Sequence, residues 1–211
     1  MRPLLAVVDY GMGNLLSIEK ALEAAGAEVR RADSEEGFQG ADGLVLPGVG
    51  NFGKASENLS ARGLMSPLKV SLRAGRPFLG ICLGFQLLFE GSEEAPKRPG
   101  LAFLPGRVVK FRNSPRVPHM GWSQVTQGGS EGVLVARRET SDERRFYYFV
   151  HSYFPVPKDQ RIVSTRTRYG SEFASSIAWG NSFACQFHPE KSGENGLRLL
   201  GNFIRQIDVP C

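Results

Sequence analysis

Leu4–Val8 is an unbroken apolar run that stops at Asp9 and Gly11-Met12-Gly13, the pattern of a strand covered on both faces. After Asn14, a residue suited to capping a helix, the apolar positions Leu15, Ile18, Ala21, Leu22 and Ala25 recur at helical spacing until Gly26 offers a left-handed stop. Residues 27–31 resume extended structure and residues 43–47 read as a further buried strand. Residues 55–59 and 65–72 read as helices. Phe78–Ile81 is the next strand, and a helix-like stretch over residues 85–90 follows it. Strands alternating with helices predict a parallel sheet.

The second half changes character. Residues 106–111, 132–136, 146–150, 161–167, 173–179 and 182–187 are short segments rich in β-branched and aromatic side chains, separated by turn residues, which predicts largely antiparallel pairing. A final helix is expected near residues 194–207. Residues 93–100, rich in Glu, Lys and Pro, read as an exposed loop. The expected fold is α/β, with a central, mostly parallel sheet, flanking helices and an additional antiparallel β portion in the second half. There is no internal repeat or low-complexity tract, so residues 1–211 are expected to form one domain.

Composition narrows the function classes. With 211 residues, 41% of them hydrophobic, the chain can bury a full core. It reaches the acidic Asp9 too soon for a signal peptide, and no apolar run approaches the roughly 20 residues of a membrane span, so a cytoplasmic protein is expected. The formal net charge of +5 comes from scattered arginines rather than a basic run interleaved with aromatics, which argues against nucleic acid. Cys82, Cys185 and Cys211 are far apart and unpaired in spacing, so neither a disulfide framework nor a zinc site is expected. Cys185 and Cys211 read as structural thiols.

Cys82 differs from the other two. It stands in Gly80-Ile81-Cys82-Leu83-Gly84, between an apolar strand and a helix-like segment, as a nucleophile does on a sharp strand-to-helix turn near the positive end of a helix. His188-Pro189-Glu190 supplies a base with a carboxylate two positions on. Pro189 keeps His188 extended, and side chains two apart in extended structure share a face. Together the segments suggest a Cys82, His188, Glu190 triad. Neither His119 nor His151 has an acid two residues on. Gly48-Val49-Gly50-Asn51-Phe52-Gly53 fits a dinucleotide-binding pattern, but Pro47 precedes it and no acidic residue ends a strand about twenty positions beyond. An oxyanion loop beside the nucleophile is the better use for it.

These residues resemble the triad class of glutamine amidotransferases, whose signature is the elbow Gly-Ile-Cys-Leu-Gly-Phe-Gln with a distal His-Pro-Glu. Within that class the chain is similar to the glutaminase subunits of imidazole glycerol phosphate synthase. That likeness runs through Asp9 to Asn14, Pro47 to Gly53, Pro118 to Trp122, Tyr148 to Tyr153 and His188 to Ser192. Phe85, Ser123 and Leu16 depart mildly from the expected pattern. The resemblance implies hydrolysis of L-glutamine to glutamate and ammonia through a thioester on Cys82, with no cofactor and no metal. It implies oxyanion donors from Leu83 and the Val49-Gly50 loop. It also implies a glutamine pocket lined by Gly50, Gln86, His151, Ser152 and Tyr153. The implied partner is a (β/α)₈-barrel cyclase in a heterodimer, met through Asn14, Trp122, Tyr148 and Lys191. A different hydrolase on the same fold, such as a γ-glutamyl hydrolase or cysteine peptidase, and a catalytically silent binding module remain open alternatives.

Overall fold

A computed structural model describes residues 2–128 and 145–207. The strand expected at residues 132–136 lies outside them, as does Cys211. In chain order the elements are β1 (Leu4–Val8), α1 (Leu15–Ala24), β2 (Glu28–Ala32), β3 (Gly43–Leu46), α2 (Phe52–Ala61), α3 (Met65–Arg73), β4 (Phe78–Ile81) and α4 (Leu83–Gln86). Then follow β5 (Gly106–Lys110), β6 (His119–Gln127), β7 (Arg145–His151), β8 (Tyr153–Pro157), β9 (Val163–Tyr169), β10 (Ser171–Trp179), β11 (Ser182–Cys185) and α5 (Gly193–Ile207).

The main sheet runs β2-β1-β3-β4-β11-β10-β9-β6-β7, with every pair from β2 to β11 parallel and every pair from β11 to β7 antiparallel. Strands β5 and β8 form a separate antiparallel ribbon. Alternation along the central strands divides the core. Ala6, Val8, Leu44 and Leu46 face one side with Phe52, Leu59 and Leu68 of α2 and α3. Leu5, Val7, Val45 and Leu79 face the other with Ile18 and Leu22 of α1 and Leu200 and Phe203 of α5. Burying both faces explains why these strands read as continuous apolar runs. Among the described residues no helix is long and apolar enough to cross a membrane.

The α/β order, the parallel core and the antiparallel second half stand as expected, with three differences in detail. The helix after Cys82 is a single turn, Leu83–Gln86, not a run to residue 90. Its apolar continuation is held by the loop beyond it, where Leu101 N–H donates to Leu87 O and Phe103 N–H to Leu88 O. Strands β6 and β8 were not expected. In β6 the half facing solvent carries Met120, Trp122 and Gln124, which blurs the alternation, and β8 contains Pro155 and Pro157, which a two-stranded ribbon tolerates where a central strand does not. Asn14 sits at the N-cap position of α1, yet its side chain makes no capping bond.

Candidate active site

Parallel pairing of β4 with β11 brings the distant motifs together. Ile81 lies opposite Cys185, and Cys82 N–H donates to Cys185 O at 2.8 Å, so the chain beyond β11 passes Cys82 within a few residues. Cys82 adopts φ 53°, ψ −102°, a left-handed conformation disfavoured for a residue with a Cβ. That bend turns the chain from strand into α4 within one residue. Gly84 is required next to it, because a Cβ there would lie 1.8 Å from Leu46 O of the neighbouring strand.

His188 is held by its backbone and its ring. Its N–H donates to Tyr148 O of β7 at 2.9 Å, and the Ser192 hydroxyl donates to its carbonyl at 2.6 Å while accepting from Tyr148 N–H at 3.0 Å. The Nδ1–H donates to Glu190 Oε1 at 2.7 Å. Nε2 is buried without a full hydrogen bond and faces the Cys82 thiol. Burial disfavours the imidazolium, but the adjoining Cys82 sulfur and the Glu190 carboxylate outweigh it and raise the His188 pKa to about 10. A buried imidazolium beside a sulfur and a carboxylate is suited to thiolate chemistry. Cys185 is different. It is fully buried, it donates to Phe187 O, and burial pushes its thiol well above the usual range.

Cys82 opens onto a cavity of about 250 Å³ lined by Val49, Gly50, Leu83, Gln86, Glu94, Pro118, Val150, His151, Ser152 and Tyr153. Every residue expected to bind substrate or form the oxyanion hole is therefore at one place. The Leu83 N–H, expected as an oxyanion donor, donates to Gly48 O at 3.3 Å. Gly50, at φ 108°, occupies the conformation that glycine alone adopts without strain, so the adjoining peptides can turn at low cost.

Three residues at the site were not anticipated. Gln186 Nε2 lies 3.5 Å from Cys82 Sγ, and Gln186 Oε1 accepts from Gln86 Nε2 at 3.2 Å. Gln186 stands two residues before His188, in the bend that follows β11, a closeness in sequence that could have signalled it. Glu94 lies in the stretch expected to be an exposed loop, and its carboxylate accepts from Phe52 N–H at 2.7 Å at the start of α2. Tyr10 is fully buried, and its hydroxyl donates to Pro47 O at 2.9 Å, anchoring the glycine-rich loop from below. Of the four residues expected to meet a partner, Asn14, Trp122 and Lys191 are exposed and Tyr148 is half-buried. The rings of Trp122 and Tyr148 meet edge to face at 6.2 Å.

Residues 6–207 match the glutamine amidotransferase class-I family. The chain belongs to that family. Among curated amidotransferases, it is 46% identical over 203 residues to the imidazole glycerol phosphate synthase subunit HisH of Moorella thermoacetica, covering 96% of this chain and 94% of that protein. To the HisH of Aquifex aeolicus it is 47% identical over 203 residues, covering 96% of each. Among solved structures, the PurLQS structure from Thermotoga maritima matches with a TM-score of 0.76 at 21% identity, over 97% of this chain and 99% of that one. At that identity the likeness bears on the fold alone. The amidotransferase fold is therefore common to both.

Proposed function

We propose that this amidotransferase is the glutaminase subunit of an imidazole glycerol phosphate synthase, acting in histidine biosynthesis. The reading is carried by one arrangement: Glu190 holds His188, His188 adjoins Cys82, and Cys82 opens onto a cavity lined by Gln86 and residues 151–153. Cys82 Sγ attacks the side-chain amide carbon of glutamine, and His188 gives its Nε2 proton to the departing ammonia. Water then adds to the γ-glutamyl thioester, glutamate leaves, and the thiol is restored. Glu190 holds the imidazole with Nε2 toward the sulfur.

The oxyanion of each tetrahedral intermediate is met by the Leu83 N–H and one N–H of the Val49-Gly50 loop. At rest the Leu83 donor is occupied by Gly48 O. The loop therefore has to turn before the hole is complete, and losing one such donor typically costs about 3 kcal/mol. Released into water at neutral pH, ammonia becomes ammonium and is no longer nucleophilic, so it passes directly to a (β/α)₈-barrel cyclase docked on the face of Asn14, Trp122, Tyr148 and Lys191. The enzyme works in the cytoplasm.

The deciding experiment is glutamate production from glutamine by the full chain, alone and with the cyclase subunit and its nucleotide ligand. Weak turnover alone and strong turnover in the complex are expected. Equal, rapid turnover by the lone chain removes the gated oxyanion hole, and turnover of γ-glutamyl peptides instead of glutamine removes the synthase assignment.

A further inference from the structure

The triad uses one of three histidines. The other two, His119 at the start of β6 and His151 at the end of β7, are cross-strand partners, and both are buried. His119 Nδ1 lies 3.1 Å from His151 Nε2. The outer nitrogens are also engaged: His119 Nε2 with Ser123 Oγ at 2.8 Å, and His151 Nδ1 with Tyr153 O at 2.9 Å.

The direction of this chain follows by elimination. A carbonyl only accepts, so His151 Nδ1 carries the hydrogen and its Nε2 accepts. His119 Nδ1 therefore donates, its Nε2 accepts, and the Ser123 hydroxyl donates to it. Burial lowers the His119 pKa to about 4 and the His151 pKa to about 3, which keeps both rings neutral and the direction fixed.

The chain continues into the active site. Tyr153 O accepts a second hydrogen bond from Gln86 Nε2 at 3.0 Å, and the same amide donates to Gln186 Oε1. With its oxygen so occupied, Gln186 can present only N–H to Cys82 Sγ. Polar contacts thus run without a gap from Ser123, beside the exposed Trp122, to the nucleophile. Packing does not require histidine here. His119 stacks on Tyr169 and Phe149, at 3.9 and 4.7 Å between ring centroids, and a phenylalanine would fill that place without burying two polar nitrogens.

We propose that His119 and His151 are positioning residues for the amidotransferase reaction: they fix the Tyr153 carbonyl, and through it Gln86 and the amino-acid end of the glutamine pocket, to the register of β6. This rests on the cavity being the glutamine site. Two reagents separate the roles in the full chain. The glutamine analogue 6-diazo-5-oxo-norleucine must seat its amino-acid end before it alkylates Cys82 with loss of nitrogen, whereas iodoacetamide reports the thiol alone.

His119→Phe is expected to slow labelling of Cys82 by the analogue about tenfold, through a higher half-saturating concentration, with the iodoacetamide rate changed less than about twofold. His119→Asn, whose amide N–H stands where Nδ1–H stood, is expected to recover most of the loss. Equal losses with the two reagents, or an Asn variant no better than the Phe variant, overturn the proposal. Ser123→Ala removes the outermost link without adding bulk and carries the test if His119→Phe does not fold. It too must slow the analogue selectively, and equal relative rates with both reagents overturn the proposal. If the analogue does not label Cys82 in the unsubstituted chain, the glutaminase reading fails instead.

Discussion

His188 Nδ1 donates to Glu190 Oε1 at 2.7 Å, and that single bond decides which ring nitrogen meets Cys82. Glu190→Gln keeps the shape but presents an amide that can support the wrong tautomer, so turnover is expected to fall about a hundredfold to ten-thousandfold. The titration changes with it. The His188 pKa is raised in the folded chain, so its contribution to stability is full below the unfolded value near 6.5 and is lost as pH rises through about 10. Glu190→Gln and Cys82→Ser each remove a cause of the rise. In both, the alkaline loss of stability should move to lower pH in denaturant titrations, and a wild-type profile in either contradicts the arrangement.

Gln186 offers its amide N–H to Cys82 Sγ because Gln86 occupies its oxygen. Gln186→Glu replaces that donor with a carboxylate oxygen beside the sulfur. At neutral pH kcat/KM for glutamine and the rate of Cys82 alkylation are both expected to fall about tenfold or more. Unchanged rates leave Gln186 as packing.

The elbow stores strain at Cys82, which holds φ 53°. Glycine at that position releases about 1–3 kcal/mol of backbone strain against an unfolded-state cost of about 0.4–1 kcal/mol. Cys82→Gly is therefore expected to be more stable than Cys82→Ala by about 1 kcal/mol, read as the difference in urea midpoint. The reverse order would mean the bend costs nothing.

Much of this was legible because the controlling signals are local. The buried run of β1, the 3.6-residue spacing of α1 and the glycines around Cys82 each depend on residues a few positions apart, and they predict the parallel core and the sharp bend at Cys82. His188 and Glu190 were legible as a pair because they stand two positions apart around Pro189, but only His188 is extended; Pro189–Lys191 form a 3₁₀ turn that brings the Glu190 carboxylate back to Nδ1. What was missed depends on partners distant in sequence. β6 is a strand through pairing with β7 and β9, not through its own alternation. The helix after Cys82 ends at Gln86 because the loop at residues 101–104 binds the next carbonyls. For want of a nearby acid His119 has no expected role and His151 only one in the glutamine pocket, whereas each is the other's partner.

Trp122 is 55% exposed and touches Tyr148 edge to face, so it has little to hold in the isolated chain. Its size and position suit it to a desolvated anchor at an interface. Trp122→Ala is expected to weaken binding of the cyclase subunit by about 2 kcal/mol or more while changing the stability of the lone chain by less than about 0.5 kcal/mol. Calorimetric titration against the partner, with a thermal melt of the free chain, separates these effects. A large fall in the melt with unchanged affinity would place Trp122 in the fold instead.

Tyr10 is buried beneath the glycine-rich loop, and burial, with the nearby Cys82 sulfur, holds its hydroxyl in the protonated, donating form. The bond to Pro47 O fixes the start of a loop whose next carbonyl, Gly48 O, occupies the Leu83 donor. Removing the hydroxyl takes away about 1 kcal/mol from that resting arrangement, while the turned arrangement, with Leu83 N–H free for the oxyanion, is held chiefly by substrate. Tyr10→Phe should therefore raise glutamine hydrolysis by the lone chain about fivefold, the factor that 1 kcal/mol supplies, with the rate of the ligand-bound complex unchanged. The stimulation ratio falls for that reason alone. If both rates drop in proportion, Tyr10 supports the active loop rather than the resting one, and the loop does not have to turn away from Gly48 to work.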